Sequence, residues 1–138
     1  MKFLDKQHLL NYHKMIQRDN TYPTDHERQA LFYILSGNFD LANKVNHIYD
    51  FDDHSIRPEC LQSTQVDFSS SAKSLIRLSF NLYNNYEDGF TTPLDIFHNL
   101  DDRNYVLAFN AIHVRFGGME ETKEQDIERI EEEDELEL

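Results

Sequence analysis

The chain has one cysteine, no tryptophan, three prolines and four glycines in 138 residues. A lone Cys60 excludes an intramolecular disulfide and any zinc site built on several thiolates. So few glycines leave no Gly-rich loop to cradle a phosphate. No Gly-x-Ser-x-Gly elbow is present to strain a serine into a nucleophile. The longest apolar run, Ala30 to Leu35, is far short of the ~20 residues that cross a bilayer. The opening MKFLDKQHLL lacks the apolar core of a signal peptide, so a soluble cytoplasmic protein with no membrane partner is expected. Bases are scarce as well, with 13 Lys and Arg against 26 Asp and Glu and a net charge of −13. They are spread singly and form no basic stripe, which argues against direct contact with nucleic acid.

What is present suits one ordinary domain. Hydrophobic residues make up 39% and aromatics 12% of the chain, too apolar for general disorder. At this length a single core buries enough surface to fold without staples. The charge is uneven: residues 117–138 carry 11 acids and only Lys123 and Arg129 as bases, whereas residues 1–116 carry 15 acids and 11 bases. The expected division is a helical domain over 1–118 and an acidic tail over 119–138, partly helical or disordered.

The apolar periodicity is helical. Asp5 caps a first helix to about Arg18, with Leu9, Tyr12 and Ile16 on one face and Met15 beside them. Thr24 and Glu27 have capping-box spacing ahead of a second helix, apolar all round and therefore buried, which Gly37 ends in the left-handed conformation. Asn38 or Asp40 starts a third, with Leu41, Val45 and Ile48 in line. Residues 50–70 lose the helical period and are long for a structureless connection; short strands at Ile56 and Val66–Phe68 suit this stretch. One of Ser69, Ser70 and Ser71 caps a fourth helix from Ala72 to about Asn84. Thr92-Pro93 opens a short fifth. Asp101 or Asp102 caps a sixth ending at Gly117, with Phe109, Ile112 and Phe116 on one side and Leu107, Ala111 and Val114 on the other, a pattern that predicts a central helix. The fold class is all-α: a single irregular bundle of about six helices with a long irregular segment between the third and fourth.

Few constellations carry chemistry. His47, Asp50, Asp52, Asp53 and His54 follow one another at the end of the third helix. Imidazoles and carboxylates together bind zinc, manganese or iron, so these five are the candidate metal ligands. The same residues also serve as helix-end and Asx-turn formers, and the spacing does not choose between the two. His8, His13, His26, His98 and His113 are scattered. His113 reads as a hydrogen-bonded core or boundary histidine, and His26 as part of a helix start. Cys60 has no helix start behind it to lower its pKa. No catalytic residue and no cofactor motif emerges.

The acidic tail supplies the other candidates. Glu120, Glu121, Glu124, Asp126, Glu128, Glu131, Glu132, Glu133, Asp134 and Glu135 can engage a basic partner protein, including one that ordinarily grips a nucleic-acid backbone. A solvated tail with no partner has the same composition. Carboxylate runs of this kind lack the glycine and alternating ligands of a calcium loop.

Six segments together resemble a family of small uncharacterised proteins, a domain of unknown function found in Firmicutes and their prophages and integrative elements. They are RDNTYPTDHERQALFYILSGN (18–38), NHIYDF (46–51), IRPECL (56–61), VDFSSSAKSLIRLSFNLYN (66–84), TPLDIF (92–97) and LDDRNYVLAFNAIHVRFG (100–117). The resemblance leaves the tail uncovered and transfers no catalytic residue. It implies a bacterial accessory protein of a mobile element. Two functions remain: a non-enzymatic interaction module for a basic partner, with nucleic-acid mimicry or an anti-defence role, and a metal-dependent enzyme or metal-stabilised fold centred on His47–His54. A homo-oligomeric structural role has no sequence feature that separates it from these.

Overall fold

The computed structural model describes residues 1–117 and 130–132. Among the described residues there are seven α-helices, one 3-10 helix and one two-stranded sheet. The helices are α1 (Lys6–Asp19), α2 (His26–Gly37), α3 (Phe39–Asn43), α4 (Val45–Ile48), α5 (Ser70–Asn84), α6 (Pro93–Phe97) and α7 (Asp102–Arg115). The strands β1 (Tyr49–Asp50) and β2 (Ser55–Ile56) follow α4, and the 3-10 helix Pro58–Gln62 follows β2. The molecule is thus largely all-α, with more and shorter helices than the six expected. None of the described helices is long and apolar enough to cross a membrane.

Local chemistry sets most of the boundaries. The Asp5, Asn38, Ser69, Thr92 and Asp101 side chains each accept a backbone N–H in the first turn that follows. Each satisfies a donor that the helix leaves open. Thr92 and Asp95 complete a reciprocal capping box. At α2 the cap is Asp25, whose carboxylate accepts the Arg28 N–H at 2.9 Å, and not Thr24. An Asp one residue later supplies a charged acceptor that the Thr hydroxyl cannot match.

Helix α2 is the centre of the bundle. It packs on α1, α5 and α7, and Ala30 through Leu35 are all fully buried. Gly37 lies inside its last turn and not in the left-handed region. Its missing side chain serves packing instead: a Cβ there would sit 2.2 Å from Leu107 Cδ1 and 2.9 Å from His8 Nε2.

The third predicted helix is two. Lys44 leaves helical geometry at φ −107°, ending α3 and preceding α4. The segment expected to be irregular is a hairpin and a 3-10 turn. Tyr49 pairs with Ile56 and Asp50 with Ser55. The expected strand at Ile56 is present; Val66–Phe68 is not a strand. Helix α7 is peripheral. Leu107, Ala108, Ala111 and Val114 are buried, whereas Phe109 and Phe116 face outward and His113 is exposed.

Candidate functional site

Two features stand apart from ordinary packing: a polar clasp where α1, α2 and the hairpin meet, and an aromatic face on α6 and α7.

The clasp is built on Asp19, the last residue of α1. An acid there opposes the helix dipole, so it needs donors nearby. Its carboxylate is 2% exposed. It accepts from the Tyr49 hydroxyl at 2.6 Å, from His54 Nδ1 at 2.8 Å and from the Thr21 hydroxyl at 2.5 Å. Arg28 Nε lies 3.8 Å from its second oxygen. Arg28 itself reaches three ways. It donates from Nε to the Tyr49 hydroxyl at 3.2 Å, from Nη1 to Asp25 at 3.0 Å and from Nη2 to the His54 carbonyl at 2.9 Å. Burial opposes the Arg28 charge, but its bonds to Tyr49 and Asp25 outweigh that and hold the guanidinium protonated. Burial, and next the bond to Asp19, push the Tyr49 phenol well above its ordinary range, so it acts as a neutral donor.

His54 is held at φ 54°, the left-handed region. A β-carbon there costs on the order of 1 kcal/mol. The Arg28 bond to its carbonyl and the Asp19 bond to its ring offset that cost. A carboxylate that already receives two hydroxyls has only lone pairs to offer, so His54 Nδ1 carries the proton. In the neutral tautomer Nε2 is then the lone-pair nitrogen, on a ring 51% exposed. The ring borders an open cleft of about 340 Å³ lined by Asp19, Asn20, Thr21, Tyr22, Asp25 and Arg28.

The structure disperses the five metal candidates. His47 is exposed on α4. Asp50 turns its Oδ1 back onto the N–H groups of Asp52 and Asp53, each at 3.0 Å, and pairs with Arg57 at 3.2 Å. The Asp53 N–H leads, then that of Asp52, in drawing the Asp50 carboxyl below its ordinary range, and Arg57 adds to it. Asp53 accepts the Ser55 hydroxyl. Only His54 joins the cleft, through Asp19. Among the described residues no three of His, Cys, Asp and Glu gather where a metal ion could sit. Asp50, Asp52 and Asp53 act here as an Asx turn closing the hairpin. Glu120, Glu121, Glu124, Asp126, Glu128, Glu133, Asp134 and Glu135 lie outside the described residues. Glu131 and Glu132 are helical and exposed.

The family model of DUF6075, a family of unknown function, matches residues 1–129. The chain belongs to this family. The match spans every numbered element of the DUF6075 fold and continues past Gly118 into the acidic segment, further than the six resembling segments reach. No curated protein and no solved structure matches the chain.

The second feature is the outer face of α6 and α7. Phe97, Tyr105, Phe109 and His113 form a chain of ring contacts, with centroids 5.6, 6.1 and 5.5 Å apart. The last three are spaced i, i+4, i+8 and so share one stripe of the helix. Phe116 and Leu94, each 77% exposed, extend the apolar surface, and Val106 adds to it. The sequence pattern showed both stripes of α7. What it lacked was which stripe the bundle covers, a choice made by Gly37 and Leu107. Asp19, Arg28 and Tyr49 had a fainter signal, the acid at a helix C-terminus.

Proposed function

We propose that the protein is an interaction module that docks a partner protein through the outer face of α6 and α7. The observation that carries this is the continuous aromatic stripe Tyr105–Phe109–His113 with Leu94 and Phe116 left exposed around it. Contiguous exposed apolar surface of this kind marks a binding site more often than chance. Aromatic residues dominate the energetic centre of interfaces.

The charge selects the partner. At −13 overall, with the acids concentrated after Gly117, the surface favours a basic protein and steers it by long-range attraction. A protein whose natural ligand is a nucleic-acid backbone has that character. The resemblance to proteins of mobile elements suits a small accessory protein acting on such a host factor. No catalysis is required of the face.

Capture from host lysate with the full chain and with a 1–118 form, at low and at high salt, tests this. A protein bound by both forms at low salt, and more weakly by the shorter form or as salt rises, supports docking on the helical face with electrostatic help. The absence of any captured basic protein would overturn it.

A further inference from the structure

The clasp leaves one ring nitrogen free beside a set of paired charges. The described hydrogen bonds of His54 are the Nδ1 bond to Asp19 and the carbonyl bond from Arg28, and Nε2 has no partner among the described residues. Asn20, at φ 57° on the rim of the same cleft, likewise has a side-chain amide with no partner among the described residues. The Tyr22 hydroxyl on the exposed rim is likewise free among the described residues, whereas the charged groups of the wall are committed. Arg28 spends Nε, Nη1 and Nη2 on Tyr49, Asp25 and His54, and Asp25 also caps α2.

We propose that His54 is a general base acting on small neutral carbonyl compounds in this cleft, with Asp19 as its positioning residue. The orientation is what such a base needs: a buried carboxylate on Nδ1 fixes the tautomer and leaves the Nε2 lone pair facing solvent. The ligand is neutral because the cleft's charges are paired with one another and none is free to hold an ionised group. The Asn20 amide offers a donor to a carbonyl oxygen on the same rim.

The reaction is ester hydrolysis, with water as the only co-reactant. His54 Nε2 takes a proton from water as the water oxygen bonds to the carbonyl carbon. The tetrahedral adduct collapses, the bond from carbon to the leaving oxygen breaks, and the Nε2 proton passes to that oxygen. An acid and an alcohol leave and the ring returns to its starting state. The Nδ1 proton stays on the hydrogen bond to Asp19 throughout.

The test uses the full chain and p-nitrophenyl acetate, following nitrophenolate release. His54→Ala is expected to lose about 100-fold or more of the rate, and free imidazole in the buffer to restore part of it. His47→Ala, which removes an exposed ring elsewhere, is expected to leave the rate unchanged. Asp19→Asn is expected to lower kcat with KM retained and to displace the pH–rate profile, whereas a merely structural acid would leave that profile in place. A wild-type rate no greater than that of His54→Ala overturns the proposal, as does an equal loss in His47→Ala. Should Asp19→Asn fail to fold, the surface substitution His54→Ala and its imidazole rescue decide the matter alone. The α6–α7 face is not involved, so either result leaves the docking proposal where it stands.

Discussion

The Tyr49 hydroxyl donates to Asp19 at 2.6 Å across 30 residues of sequence, and the bond ties the hairpin to the end of α1. Arg28 from α2 donates to the same hydroxyl, so one phenol oxygen joins three parts of the fold. Tyr49→Phe keeps the buried ring and removes only the oxygen. A charge-assisted buried bond of this kind is worth about 1.5–3 kcal/mol. Chemical denaturation is expected to show that loss, with the slope against denaturant unchanged. Asp19→Ala is expected to cost more, about 3 kcal/mol or above, because it leaves Tyr49, His54 and Thr21 without their acceptor.

His8 gives the fold an acid sensitivity. It is buried, with Nε2 donating to the Tyr33 carbonyl at 2.8 Å and Nδ1 accepting the Leu4 N–H at 3.2 Å. Burial, against the bond to Tyr33, lowers its pKa from 6.5 to about 4. As pH falls through that window the unfolded chain takes up the proton and the folded chain does not. Stability therefore falls from about pH 6.5 towards 4, by as much as about 3 kcal/mol. The lowered carboxylates of Asp5, Asp50, Glu87 and Asp88 lose their contributions further down, below the ordinary carboxylate range. Unfolding measured between pH 7 and 5 is expected to show this slope in the wild type and a flatter one in His8→Gln. Equal slopes would place the sensitivity elsewhere.

Gly37→Ala tests the closest approach in the core. The added methyl meets Leu107 at 2.2 Å, and Leu107 is fully buried. Alanine gains about 1 kcal/mol in helix propensity, but overpacking costs about 1–3 kcal/mol. A net fall in melting temperature is expected. A rise would show that α2 and α7 separate without penalty.

Cys60 is expected to be inert. It is buried, and burial, followed by the neighbouring Glu59 charge, pushes its thiol up to about 12. Thiol reagents at pH 8 are expected to label it only in denaturant. Fast labelling of the folded protein would mean that the 3-10 turn opens.

Much of the fold was legible in the sequence because capping is local. Asp5, Asn38, Ser69, Thr92 and Asp101 each act within four residues. Helix α2 was equally plain, since a run apolar all round has nowhere to go but the centre. The hairpin was hidden because strands of two residues are too short to show a period of two, so Tyr49–Asp50 read as the end of a helix. The exposure of Phe109 and Phe116 depends on which stripe of α7 meets α2, and that is settled by the absence of a side chain at Gly37. The clasp was illegible as a unit: Asp19 and His54 are 35 residues apart, and His54 drew notice only for its neighbours Asp50, Asp52 and Asp53, which turn out to close their own loop.

The proposed docking surface is the aromatic stripe of α7. The most direct measurement compares the affinity of the captured partner for the wild-type chain and for Phe109→Glu. Phe109 is half exposed and its ring contacts are Tyr105 and His113 on the same outer face, so the variant is expected to keep its melting temperature. Binding at least about tenfold weaker is expected, the loss that follows when a charge replaces an interface aromatic. Equal affinity in a folded variant would contradict it.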